Sequence, residues 1–547
     1  MTPTLAERLD SWKEIAAFLR RDVRTVQRWE KKEGLPVYRH QHEKLGSVYA
    51  FAKELNEWLN TRQPAAAAAH QKSGDKIKLA VLAFRNLGND AADHYFSEGL
   101  TEEMTAQITR LQPAELAVIA RTTAEHYEPS AKSLQQMRQD LGVDYVLEGN
   151  VRRAGNRVRI TARLSEVQDQ TQLWAETYER DLRDVLSVQA EIAQAIVAEI
   201  HLALNLSERN RLSDLQRGQR TLEPAAFDAY LKARYHLHSM IPAEMHKSIK
   251  DFERAITLDP DYAPAHAGLA SALALLAIAP FDLLPPQDAM PKAEAAARKS
   301  LALDDGLFEA HLALALINHH YHWNWEAAEA GYRRAIELNP SFAASHLWYS
   351  WMLLALGKRE EAFQEIERTM VIVQETDPHR LVGVHSTRAF AFYFAREFQK
   401  AVAECEKALR MDPGYFLAHY ILGHTYMGLG DPAKAIVEFK AARTLAGEMP
   451  LADGELGLAY AVSGQMTEAK KTAESFKSAA RQRYIPPTYF VMIHAGLGDK
   501  DQAFAWLEKA FAERADGLTW LNVEPMLDPL RDDPRFHDLV RRIGLVH

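Results

Sequence analysis

Only one of the 547 residues, Cys405, is a cysteine. A disulfide framework and a cysteine-based zinc cluster are thereby excluded, and a reducing compartment, most simply the cytoplasm, is the expected setting. Long apolar runs are missing as well. The longest, around Leu269 to Leu284, is rich in alanine and broken by Ser271, Pro280 and Asp282, short of the roughly 20 residues that a membrane span requires. The opening MTPTLAERLDSWKEIAAFLRR places charges at helical spacing, where a signal peptide would carry an apolar stretch. Neither export by that route nor a membrane partner is expected. Basic charge is not in excess: 65 Lys and Arg stand against 74 Asp and Glu, a net charge of -9, which argues against the whole molecule being a nucleic-acid binder. The first 62 residues depart from that average, with twelve basic residues against nine acidic ones.

Catalytic patterns are scarce too. Gly88 and Gly99 lack the spacing of a phosphate loop, and neither a G-x-S-x-G elbow nor an H-E-x-x-H helix occurs. Glu98, Glu102 and Glu103 fall near one helix start, where acids complement the macrodipole, a better account than a paired-carboxylate site. His40/His42 and His319/His320/His322 lie close in sequence but lack carboxylates or cysteines at ligand spacing. No enzyme activity, cofactor or metal is expected.

What is present is a chain too long for one core, with 47% hydrophobic and 25% charged residues, so about two to four folded domains are expected. Gln63-Pro64, five alanines and the polar run to Lys76 have linker composition. A small domain at 9–61 precedes this linker at 62–76. From Ile77 to about residue 205, short β-branched runs alternate with helical ones, and from residue 222 the pattern is helical throughout.

Repetition is the strongest signal. AITLDP at Ala255 to Pro260, AIELNP at Ala335 to Pro340 and ALRMDP at Ala408 to Pro413 recur, with SLALDD and TDP between them, at steps of about 35 to 45 residues. Within one unit, Ala418 to Tyr426 followed by Gly430, Ala433, Ala435, Ile436 and Phe439 alternates small residues that let helices approach with large ones that fill holes. These motifs resemble tetratricopeptide (TPR) repeats over 222–520. The resemblance implies about seven to eight helical hairpins and a groove that binds a protein or peptide. The segment at 524–547, with Met526 to Val540, reads as a polar-faced capping helix for an open solenoid end.

At the N-terminus, Ser11 to Phe18 reads as a helix with Ser11 as N-cap and Glu14 at the capping-box position. Val23 to Lys32 reads as a second helix with Val23, Val26 and Trp29 inward and a donor-rich outer face. Gly34-Leu35-Pro36 ends it. Val37 to Phe51 reads as two short strands around a polar turn at Glu43 to Gly46, and Lys53 to Asn60 as a closing helix. The EIAAFL, TVQRWEKKEGLP and ELNEWL segments with the basic wing resemble the winged helix-turn-helix of MerR-type regulators and phage excisionases. The resemblance implies double-stranded DNA as partner, with Arg24, Thr25, Gln27 and Arg28 as base or phosphate contacts. It implies Lys31 and Lys32 as phosphate contacts and Arg39, His40 and Lys44 as wing contacts. Arg and Gln suit this role because each offers two hydrogen-bonding atoms to a purine edge. No long dimerisation helix follows Asn60, so the pairing of two copies in a homo-oligomer is left open.

In the middle, Ile77 to Phe84, Leu116 to Ala120, Asp144 to Arg153, Arg157 to Val167 and Gln172 to Tyr178 read as strands. Phe96 to Leu111, Leu134 to Leu141 and Val185 to Leu204 read as helices, and Gly155-Asn156 as a tight turn. AVLAFRNLGND, YFSEGLTEEM, VIART, LGVDYVLEGNVRRAGNRVRITARL and LWAETYERDL resemble the TolB-type N-terminal α/β domain, which implies a structural or ligand-sensing connector at 77–205. The expected architecture is therefore multidomain: a small winged helix-turn-helix, an α/β domain with mixed sheet, then an all-α TPR solenoid. The expected function is a DNA-binding transcriptional regulator with a TPR interaction platform. The alternatives are a TPR scaffold or adaptor in bacterial signalling that binds no DNA, and an enzyme with an unrecognised site in residues 77 to 205.

Overall fold

The structure, a computed structural model, describes residues 8–19, 23–39, 48–61, 76–87, 94–111, 116–119, 131–154, 157–204, 223–239, 241–447 and 452–545. The chain divides into two compact units, Met1–Ile77 with Ala195–Arg211, and Lys78–Gln194 with Leu212–His547.

In the first unit, α1 (Trp12–Phe18) starts where Ser11 is extended and its Oγ accepts the Glu14 N–H at 3.1 Å. The Glu14 carboxylate reaches back to the N–H of Asp10 at 2.7 Å, so the capping box closes one residue earlier than the S-x-x-E pattern implies. Helix α2 (Val23–Glu33) buries Val26 and Trp29. It stops at Gly34, whose φ of +69° is costly for any residue with a Cβ. Strands β2 (Tyr38–Arg39) and β3 (Val48–Phe51) pair antiparallel, Tyr38 opposite Tyr49; the turn read at Glu43 to Gly46 lies outside the described residues. A third strand, β1 (Arg8–Leu9), pairs with the other edge of β3. Two residues carry no period, so nothing in the sequence announced it. Helix α3 (Ala52–Thr61) completes a core of Ile15, Leu19, Val26, Trp29, Leu35, Val48, Ala50 and Leu55.

The second unit begins with a mixed sheet of β4 (Ile77–Val81), β5 (Arg85–Asn86), β6 (Leu116–Ile119), β7 (Tyr145–Ala154), β8 (Arg157–Glu166) and β9 (Thr171–Asp181), in the order β6-β4-β7-β8-β9 with β5 against β7. Strand β4 runs parallel to β7, while β7, β8 and β9 form an antiparallel meander. Helices α4 (His94–Leu111) and α5 (Ala131–Leu141) cross between the parallel strands, and α6 (Val185–Leu204) follows β9.

Among the described residues eight antiparallel helical hairpins follow: Pro224–His238 with Pro242–Leu258, Ala263–Leu276 with Pro286–Leu303, Phe308–Ile317 with Trp325–Leu338, Ala343–Ala355 with Arg359–Thr376, Leu381–Phe394 with Phe398–Met411, Phe416–Gly428 with Pro432–Ala446, Asp453–Val462 with Met466–Ala479, and Pro487–Gly496 with Lys500–Glu513. The recurring Asp/Asn-Pro falls where it ends a helix: Asp259, Asn339 and Asp412 are C-caps whose N–H groups bond back to Ala255, Ala335 and Ala408, and the proline after each cannot continue the ladder. Small residues permit close crossing. A Cβ on Gly423 would come within 2.6 Å of the Phe439 ring. The fold is thus a multidomain chain in which an α/β region with a mixed sheet precedes an all-helical TPR-like solenoid.

The segment read as a capping helix is different in form and place. It comprises 3-10 turns at Asp516–Trp520 and Pro525–Leu530 and an α-helix only at Pro534–Ile543. Instead of covering an open end, it runs through the interior of the superhelix. Its final helix bridges the eighth hairpin, through Arg542 to Glu508 at 2.7 Å, and the third, where Trp325 Nε1 donates to the Ile543 carbonyl at 2.9 Å.

Candidate nucleic-acid surface and repeat interior

Arg24, Thr25, Gln27, Arg28, Lys31 and Lys32 all fall on α2. Val26 and Trp29 of this helix are buried. Lys31 is exposed and Gln27 half-buried; the side chains of Arg24, Thr25, Arg28 and Lys32 lie outside the described residues, as do His40 and Lys44. Arg39 is exposed on β2, but its guanidinium is paired with the Glu30 carboxylate at 2.6 Å. The wing is therefore tied to α2 by one of its own predicted contacts. Beside it, Tyr38 stacks on Tyr49 at 5.4 Å and Arg8 lies 4.3 Å over the Tyr49 ring. A hydrogen bond with Glu54 raises the Tyr38 hydroxyl above its ordinary range. Arg8 is a further cation of this face, missed because β1 was unreadable.

The middle domain meets the first hairpin through acids assigned above to a helix start. Helix α4 begins at His94, so Glu102 and Glu103 lie well inside it, and the macrodipole account does not hold for them. Glu103 accepts the Tyr230 hydroxyl at 2.8 Å and pairs with Arg234, while Glu102 bonds His238 at 2.8 Å. Nearby, Asp228 accepts from Tyr95 at 2.6 Å and from Arg153 at 2.5 Å. Gly99 allows the close approach, since a Cβ there would meet Leu231 at 2.8 Å.

The hairpins share a hydrogen-bonded staple. His346, His385 and His419 each bond a glutamate nineteen residues on, Glu365 at 2.6 Å, Glu404 at 2.8 Å and Glu438 at 2.7 Å. The other ring nitrogen of His346 and of His419 meets the carbonyl of Pro340 or Pro413 six residues back, at 3.1 Å in both cases. Burial would raise the Glu404 carboxyl, but hydrogen bonds from His385 and Lys407 outweigh it and hold the group at about 2.

Inside the superhelix lies a second set of polar groups, all buried. Asp516 pairs with His320 and accepts the Ala279 N–H at 3.1 Å; Glu524 accepts the Tyr393 hydroxyl; Glu455 accepts the Tyr420 hydroxyl at 2.9 Å; and Asp282 accepts the Tyr489 hydroxyl at 2.8 Å. Burial pushes Asp282 and Glu524 up to about 7 and Glu455 to about 8, and pushes His424 down to about 3. The histidines weighed as a cluster face different ways: His319 toward Tyr332 at 3.2 Å, His320 toward Asp516, and His322 toward Glu294 at 2.9 Å. Among the described residues no group of three or more His, Cys, Asp or Glu gathers in a way that could hold a metal ion. Cys405 is buried among the hairpins, and burial pushes its thiol well up. No helix among the described residues is long and apolar enough to cross a membrane.

Comparison with known proteins agrees with this division. Residues 75–195 match the family described as the HilA/YgeH-like transcriptional regulator, second domain, so the segment with TolB-type resemblance is similar to that domain. Residues 321–376 and 387–450 match the tetratricopeptide repeat family. A Rhizobium meliloti (strain 1021) protein named "Putative adenylate cyclase 3" is 34% identical over 194 residues, 36% of this chain; the chain spans 32% of that relative's length. Among solved structures, a tetratricopeptide repeat protein from Parabacteroides merdae ATCC 43184 aligns with 50% of this chain and 100% of its own, at 11% identity and a TM-score of 0.37. The human IFIT1 dimer with m7Gppp-AAAA aligns with 66% of this chain and 84% of its own, at 17% identity and a TM-score of 0.39. The chain thus combines a HilA/YgeH-like transcriptional-regulator domain with TPR repeats.

Proposed function

We propose that this protein is a DNA-binding transcription regulator of the cytoplasm, without catalytic activity, in which a MerR- or excisionase-like winged helix-turn-helix reads DNA and the TPR array engages a protein. The observation that carries the reading is the order of modules: a helix-turn-helix core with a paired β2/β3 wing stands directly before a transcriptional-regulator domain at residues 75–195. On this reading the middle domain is a connector of TolB type, seated on the first hairpin through Glu102, Glu103 and Asp228. The cyclase in the relative's name is not carried over, because the aligned share is 32% of that protein.

The test is a salt-titrated binding assay of the full chain against genomic fragments that include its own promoter. Selected fragments should bind with a negative log-salt slope. Arg28→Ala should weaken binding by about 1 to 3 kcal/mol, and Lys31→Ala should reduce the slope by about 1 without changing fragment preference. A full chain that binds no fragment at low salt removes the regulator reading and favours the scaffold, which the eight hairpins would serve equally well.

A further inference from the structure

The concave face of a stack of helical hairpins is where an open array takes a partner segment. Here that face is occupied by the chain's own residues Asp516–Leu530, which are held as a ligand is held. The anchors fall every fourth residue, at 516, 520, 524 and 528, and between them meet the second to the fifth hairpins, the last three converging on the fifth. Asp516 takes His320 of the third hairpin and the Ala279 N–H of the second. Trp520 enters an aromatic slot, 5.5 Å from Trp351, 5.9 Å from Phe390 and stacked on Phe394 at 4.9 Å. Glu524 takes the Tyr393 hydroxyl, and Arg396 forks both oxygens of Asp528 at 2.6 and 2.7 Å. Leu518, Leu521, Leu527 and Leu530 fill the spaces between and are buried.

A seat built only for stability would be apolar and hydrogen-bonded throughout. This one leaves His320 Nε2, His424 Nε2, Glu455 Oε2 and Trp351 Nε1 buried without a hydrogen-bond partner while the segment is in place. Such atoms are rare in finished interiors, and two of the four belong to residues that the segment touches directly, His320 at Asp516 and Trp351 at Trp520. Its outermost anchor is also its weakest, because Asp528 and Arg396 are 41% and 48% exposed and water screens the pair.

We propose that the interior of the TPR superhelix is a peptide-binding groove held shut in cis by residues 516–530, and that its partner is a protein segment presenting an acid, a tryptophan and two further acids at four-residue steps with leucines between. Such a segment replaces the cis contacts one for one, so exchange leaves the buried area unchanged, and added polar groups on it gain the partners that the groove now lacks. The inference rests on the reading of the repeats as a protein-binding surface and is independent of DNA binding.

The probe is a fluorescent synthetic peptide of residues 514–531, titrated by anisotropy against the full-length chain, wild type and Asp528→Arg, with hydrogen exchange of the 516–530 amides followed in parallel. Asp528→Arg opposes Arg396 with like charge at the exposed lip and leaves the buried anchors alone; Asp528→Asn replaces it if circular dichroism shows that the reversal does not fold. The expected result is exchange of the 516–530 amides at least tenfold faster than in wild type, with the fifth hairpin unchanged, and peptide bound at least tenfold tighter. Arg396→Asp should prefer a peptide carrying Arg in place of Asp528. Faster exchange with no peptide bound would make the segment a permanent part of the fold. Unchanged exchange in every variant would make it undisplaceable, and a concentration-dependent dimer would make a second copy the occupant. Each of these overturns the proposal, and none bears on the DNA assay, whose failure would leave this groove standing.

Discussion

Two carboxylates set the behaviour of their surroundings in opposite ways. Glu30 sits on α2, the helix proposed to face DNA, and holds Arg39 at 2.6 Å, so an arginine that a phosphate could use is spent on an internal pair. Both groups keep some access to water, and such a pair contributes little stability. Glu30→Gln should therefore leave the fold intact and strengthen DNA binding, with the log-salt slope steeper by about 1 because one more cation reaches the backbone. An unchanged slope would place Arg39 outside the interface. Glu455 is the contrary case. Buried beside Tyr420, His424, Asp453 and Glu524, it is held protonated with its titration raised to about 8. A group whose folded value is raised above its unfolded value of about 4.3 stabilises fully below the unfolded value, and that contribution is lost as pH rises through the folded one. Melting temperature should fall between pH 5 and pH 9 in the wild type and fall less in Glu455→Gln, so that the value for the wild type minus that for the variant decreases as pH rises. A constant difference would assign the loss to Asp282 and Glu524, which titrate near 7.

At the scale of elements, the hairpins are joined by something finer than apolar periodicity. His346 reaches both Glu365 and the Pro340 carbonyl, fastening the two helices of its hairpin and the end of the helix before it. His346→Ala should cost about 1.5 to 3 kcal/mol, since hydrogen bonds to charged groups exceed neutral ones and Glu365 stays buried. The urea midpoint should drop with an unchanged m-value, whereas a changed m-value would mean that the hairpin itself had come apart. This staple was legible: a histidine six residues after the proline and a glutamate nineteen residues beyond it recur at His346/Glu365 and His419/Glu438 in plain sequence, polar positions on which size and apolar period do not report. The major helices and strands were legible for the reason that periodicity works, one face of each being buried. The pairing of β1 was not, because two residues have no face to count. Nor was the seat of residues 516–530, where the Ala279 to Asp516 bond joins positions 237 apart and no local rule reports on such a distance.

For the whole molecule, the question is how an event in the repeats could reach the regulator domain. The middle domain is joined to the first hairpin by a buried junction rather than by a linker alone: Glu103 with Tyr230 and Arg234, Phe96 against Phe227 at 6.3 Å, and Gly99 beneath Leu231. Charges taken out of water are costly when one partner is removed, by about 3 to 5 kcal/mol, because the other remains buried and unpaired. Glu103→Ala leaves the Arg234 guanidinium with Glu102 at 3.6 Å and the Tyr230 hydroxyl at 3.2 Å, so the penalty is a fraction of that figure, and it falls on the junction, not on the core of either side. If the junction makes the sheet and the solenoid one cooperative body, the wild type should melt in a single calorimetric transition over this region. Glu103→Ala should then split it in two, the earlier transition accompanied by loss of strand signal. Glu103→Gln, which keeps the Tyr230 hydrogen bond and drops the charge, should lie between. A single transition merely shifted downward in both variants would mean that the solenoid holds the sheet through other contacts, and that displacement in the repeats has no rigid path to residues 75–195 through Glu103.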